Sequence, residues 1–126
     1  MTMTLSDLVI DLQARASGTP LPAERAAAVR DLADEYGVDA DPGWLLPLLT
    51  AAHDGREVPR PVFFDYDDSD RQTYLFELAT LLGWKIDSAG EYTEIDLPGW
   101  RLYVSNEAHS PTTGRGGSSY TVTRLP

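Results

Sequence analysis

Tyr92-Thr93-Glu94-Ile95-Asp96-Leu97-Pro98-Gly99-Trp100-Arg101-Leu102-Tyr103-Val104-Ser105 is the stretch that decides the fold. Two runs of alternating polar and apolar residues flank a Pro-Gly pair. Alternation at period two sends successive side chains to opposite faces of a strand. Tyr92, Glu94 and Asp96 thus oppose Thr93, Ile95 and Leu97, and Arg101 and Tyr103 oppose Leu102 and Val104. Pro98-Gly99 suits the centre of a type II turn, where glycine supplies the positive φ, or of a bulged loop. The stretch predicts an antiparallel hairpin.

Working outward, a short strand over Trp84–Asp87 precedes the hairpin. Before it, Tyr74, Leu75, Leu78, Ala79 and Leu82 recur at helical spacing, and Gly83 stops a helix predicted over Asp70–Leu82. The apolar run Val62–Tyr66 predicts another strand. Beyond the hairpin, residues 106–118 read as a loop, with a flexible Gly/Ser/Thr-rich patch at 112–119. The final strand, Ser119–Leu125, places Tyr120, Val122 and Arg124 on one side. The order is β-α-β-β-β-β. Adjacent strands after a single helix predict a mostly antiparallel sheet with helices on one face, an α+β fold. The first strand could still run parallel to its successor through a crossover.

The N-terminal part is helical. Thr4-Leu5-Ser6-Asp7 has capping-box spacing, Leu5, Leu8, Val9 and Leu12 form a stripe, and Gly18 ends the first helix. Pro20 and Pro22 open a second helix, with Ala26, Val29, Leu32, Ala33 and Tyr36 as its stripe and Gly37 as its stop. A third is predicted from Asp41 or Pro42 to Asp54, kinked or delayed to about Trp44 by Pro47. The domain reading is a helical segment at 1–55, a proline-containing linker at 56–61 and an α+β segment at 62–126, packed as a single domain.

The chain has 126 residues and no cysteine, so a disulfide scaffold, a thiolate zinc site and a cysteine nucleophile are excluded. No apolar run approaches a membrane span, and Met1–Asp7 lacks the basic region of a signal peptide, so a cytoplasmic location is expected. Twenty acids against ten bases give a net charge of −10. That opposes general nucleic-acid binding and attraction to anionic lipid, both of which use Lys and Arg. It suits a protein partner, in particular a basic one.

Four aspartates crowd into Asp65-Tyr66-Asp67-Asp68-Ser69-Asp70 after the apolar strand. Over five or six residues, Asp65-x-Asp67 resembles the nucleophile loop of haloacid-dehalogenase-like phosphatases, which pair two carboxylates with Mg²⁺. The downstream lysine and the later acidic pair of that family have no counterpart, since Lys85 is the only lysine and comes too early. An EF-hand loop starting at Asp65 would need Gly at Asp70 and Glu at Phe76. Ser69-Asp70-Arg71-Gln72 has capping-box spacing, which gives the later residues a structural use. Asp65 and Asp67 are what the cap leaves unexplained.

Other catalytic sets are incomplete. His53 and His109 lack metal-ligand spacing, no Gly-x-Ser-x-Gly or Ser-x-x-Lys occurs, and the glycine-rich patch lacks the phosphate-loop pattern and precedes a strand. Tyr92, Tyr103 and Tyr120 would form an aromatic patch beside Arg101 and Arg124 if they shared an outer sheet face.

The function expected from the sequence is a small acidic, non-enzymatic protein-binding module of accessory, immunity or inhibitor type, with nucleic-acid mimicry as a variant. No cofactor is expected. Its candidate docking residues are Asp65, Asp67, Asp68, Asp70, Asp34, Glu35, Asp39, Tyr103 and Arg101. The alternative is a metal-dependent phosphoesterase-like enzyme with Asp65, Asp67 and Asp70 as ligands. Self-association is expected through the C-terminal strand as an exposed edge.

Overall fold

The computed structural model describes residues 4–39, 45–65, 69–109, 112–114 and 116–126. The chain divides into two compact units, Met1–Arg56 and Glu57–Pro126.

The first unit is helical: α1 (Leu5–Ser17), α2 (Ala23–Tyr36) and α3 (Leu46–His53). Thr4 caps α1 in the expected box, with its hydroxyl accepting from the Asp7 N–H and the Asp7 carboxylate accepting from the Thr4 N–H. Gly18, at φ 74°, and Gly37, at φ 65°, end α1 and α2 in the left-handed conformation that a side chain would disfavour. The third helix starts at Leu46 with Pro47 in its first turn, where the missing N–H costs nothing. The delay expected from Pro47 therefore occurs; the proposed Asp41 cap and Pro42 lie outside the described residues. Helix α1 packs against both α2 and α3, burying Leu5, Leu8, Val9 and Leu12.

The second unit is a five-stranded sheet with one helix: β1 (Val58–Asp65), α4 (Ser69–Leu82), β2 (Lys85–Ala89), β3 (Tyr92–Leu97), β4 (Trp100–His109) and β5 (Gly116–Arg124). The strand order is β1-β5-β4-β3-β2, and every neighbouring pair is antiparallel. The α+β architecture thus stands. It follows from this order that β1 and β2 run in the same direction on opposite edges, with α4 as the crossover between them.

The hairpin forms as predicted. Leu97 pairs with Trp100 around Pro98-Gly99, and Gly99 takes φ 81°. Thr93, Ile95, Leu97, Trp100, Leu102, Val104, Ser118, Tyr120 and Val122 make one buried sheet face. The α4 stripe Tyr74, Leu75, Leu78, Ala79 and Leu82 is buried as well. Helix α4 crosses that face, because Gln72 near its start bonds Ser118 of β5 and its body lies against β2.

Several boundaries differ from expectation. Residues 58–61, expected as linker, belong to β1. Prolines are tolerated there because β1 is an edge strand, and its register against β5 shifts between Val58 and Val62. Strand β4 continues to His109 and β5 starts at Gly116, so much of the expected loop is sheet. A register shift between Ser105 and Ala108 breaks the alternation that would have marked the extension. The C-terminal strand is not an edge: β5 lies between β1 and β4, which removes the premise for self-association through it. Among the described residues, no helix is long and apolar enough to cross a membrane.

Candidate functional site

The aspartate cluster spans the end of β1 and the start of α4. Asp65 is the last residue of β1, with its backbone opposite Gly117, and Asp70 is the second residue of α4. Asp67 and Asp68 lie outside the described residues. Gln72, expected to close a capping box with Ser69, sends its side-chain amide to the sheet. Its Nε2 donates to Asn106 Oδ1 at 2.8 Å and to Ser118 Oγ at 2.7 Å, and the Ser118 hydroxyl donates to Asn106 Oδ1 at 2.7 Å. Among the described residues, no group of three or more His, Asp or Glu side chains could hold a metal ion.

The acids around the end of α2 divide by role. Asp31, Asp34 and Glu35 are exposed, and no basic residue accompanies them in the last turn. Asp39 instead reaches the start of α1, accepting from the Ser6 N–H and hydroxyl. Asp41 lies outside the described residues. On the neighbouring turn, Arg30 pairs with Asp7 at 2.9 Å. The Thr4 N–H, then the Thr4 hydroxyl and Arg30, hold the Asp7 carboxyl below its ordinary range, partly offset by burial.

His53, in the last turn of α3, was missed as a packing residue. Its side chain is 12% exposed, and its Nε2 hydrogen-bonds Asp11 on α1. Arg15 bonds the same carboxylate at 3.0 Å and the His53 carbonyl at 2.9 Å. Asp11 and Arg15 are one helical turn apart, but a partner 42 residues along the chain carries no local signal. His109 ends β4, exposed.

The outer sheet face gathers the clearest constellation. Tyr92 on β3 and Tyr103 on β4 stack with ring centroids 5.7 Å apart and planes inclined by 24°. The register explains the contact: Glu94 lies opposite Tyr103, so Tyr92 is its diagonal neighbour on the same face. Tyr92 is 42% exposed. Arg101 on the same face donates through Nε to Asp96 at 2.8 Å and lies 3.6 Å from Glu94. The bond to Asp96 chiefly raises the Arg101 pKa, with Glu94 and Asp87 contributing. Asp87 on β2 sits directly opposite Glu94. Glu91, in the turn before β3, meets Glu107, at the register shift of β4, and their shared hydrogen bond raises the Glu91 pKa.

Two aromatic expectations are corrected. Tyr120 lies on the buried face at 1% exposure, because its register partner is Val104 and not Tyr103. Arg124 opposes Trp100, with its guanidinium carbon 4.8 Å from the Trp100 ring centroid, so it stands at the end of the buried face. The outer patch is therefore Tyr92, Tyr103 and Arg101 among carboxylates. Comparisons with protein-family models, curated proteins and solved structures find no match.

Proposed function

We propose that this chain is an acidic protein-binding module of accessory, immunity or inhibitor type, working without catalysis. Its docking face is the outer surface of the sheet, centred on Tyr92 and Tyr103. The observation that carries this reading is the stacked, partly exposed tyrosine pair set among acids. Tyrosine rings offer large rigid contact area at little entropic cost, which is why they anchor interfaces. On and beside this face stand Asp87, Glu91, Glu94, Asp96 and Glu107 against Lys85 and Arg101. Acids in excess, beside ring faces that attract cations, favour a partner presenting Arg or Lys.

The test is affinity capture from the source cells, followed by calorimetric titration of the identified partner. Tyr92→Ala and Tyr103→Ala should each weaken binding at least tenfold, with circular dichroism unchanged. Binding indifferent to both substitutions would overturn the reading, as would a partner whose affinity ignores salt.

A further inference from the structure

We infer that β2 is a self-pairing edge through which two copies of this chain join their sheets. The inference is independent of the partner reading above. The sheet has two edges, and they differ. Strand β1 carries Pro59 and Pro61 and an irregular register, and each proline lacks the N–H that a new neighbouring strand would require. Strand β2 carries no proline, and all five of its residues are exposed. Ile86 is 36% exposed although Ile95, opposite it on β3, is fully buried.

A strand pairs antiparallel with its own copy about a two-fold axis normal to the sheet. Such an axis keeps like faces together, so only registers that match outer residues with outer residues are allowed. With Lys85 on the axis, two lysines meet. With Asp87 on the axis, two aspartates meet. With Ile86 on the axis, Lys85 of each copy faces Asp87 of the other, and the two exposed Ile86 side chains cover one another. Only the last of these three registers pairs opposite charges.

The internal pairing of β2 makes this arrangement favourable. Asp87 lies opposite Glu94, a like-charge pair whose nearby cation, Arg101, lies 3.6 Å from Glu94 but is held chiefly by Asp96 at 2.8 Å. Lys85 lies opposite Asp96, which Arg101 already engages at 2.8 Å. In the dimer, Lys85 of the second copy adds a further cation, directly opposite Asp87. A five-residue edge makes a small interface, so the association is weak and concentration-dependent.

Sedimentation velocity over a series from low micromolar to near-millimolar protein tests this. The mass should rise from 13.9 kDa towards twice that value. K85D and D87K should each weaken the dimer by about tenfold or more, since two attractive pairs become repulsive. The double swap K85D/D87K should restore it. Ile86→Lys, at an edge position already 36% exposed, should abolish it while preserving the far-UV dichroism and melting of the monomer. A monomer at every concentration overturns the proposal, as does a dimer indifferent to Ile86→Lys. Failure of the folded double swap to regain the dimer overturns it too.

Discussion

Asp39 holds Ser6 with both carboxylate oxygens: Oδ1 accepts from the Ser6 N–H at 3.0 Å, and Oδ2 accepts from its hydroxyl at 2.6 Å. Ser6 is fully buried in the first turn of α1, where backbone N–H groups have no partner within the helix. A carboxylate there satisfies a donor and complements the helix dipole. Asp39→Ala strands the buried Ser6 N–H and leaves the Ser6 hydroxyl with Thr4 Oγ1 at 3.3 Å, and should cost about 1–3 kcal/mol. Urea unfolding measures this through a lower midpoint at unchanged slope. An unchanged midpoint would show that water replaces the carboxylate without loss.

Asp7 should shape the acid limb of stability. Its folded pKa is depressed, chiefly by the Thr4 N–H. Its contribution is therefore present above the unfolded pKa of about 3.9 and is lost as pH falls through the lower folded value. The side chain is 34% exposed, so solvent screening limits the effect to about 0.5–1 kcal/mol. Asp7→Asn should lower the melting temperature at neutral pH, and the gap from the parent should close in strong acid. A constant gap would assign the effect to packing.

Glu91 carries the opposite sign. Its pKa is raised in the fold, first by the hydrogen bond with Glu107 and then by that residue's charge. Its stabilising contribution is present below the ordinary glutamate range and is lost as pH rises through the folded value. Glu107→Gln removes the repulsion, so the variant should melt higher than the parent at pH 7. Below the raised folded value, where the Glu91 proton is retained, the two should converge. Equal melting at neutral pH would mean that solvent screens the pair completely.

Gln72 should matter as a tie between α4 and the sheet. Its amide meets Asn106 and the buried Ser118, next to the register shift in β4. Gln72→Leu removes both donors, while Ser118 keeps its bond to Asn106. The expected cost is about 1–2 kcal/mol, read by thermal unfolding, with faster amide exchange over residues 105–108. Loss of stability without faster exchange there would place the effect elsewhere on α4.

These ties were the part hidden from sequence inspection. The hairpin was legible because alternation and a Pro-Gly turn are local signals. Helix ends were legible at Thr4, Gly18, Gly37 and Gly83 for the same reason. Strand order was not, since β1 and β5 pair although they are the first and last strands in sequence, and nothing near Ser119 records that neighbour. The prolines of β1 read as linker because an edge strand and an extended linker require the same backbone. The bulge after Ser105 hid the rest of β4. At the candidate face, Tyr103 and Arg101 were found from strand parity alone. The exclusion of Tyr120 needed the register, and the Ser6–Asp39 contact spans 33 residues.

The stack of Tyr92 on Tyr103 separates folding from binding. Diagonal aromatic pairs contribute about 0.5–1.5 kcal/mol beyond area burial. A double-mutant cycle with Tyr92→Ala and Tyr103→Ala isolates that coupling, provided neither substitution adds a new contact. If the rings serve only the sheet, the coupling appears in unfolding and vanishes in partner titration. A docking face predicts coupling in both, because the second ring orients the exposed one for its partner. Tyr92→Phe sharpens the distinction. It keeps the ring and its stack, so stability should hold, while a partner that bonds the phenol oxygen should bind about tenfold more weakly. Full loss of stability with Tyr92→Phe would contradict the exposed position of that side chain at 42%.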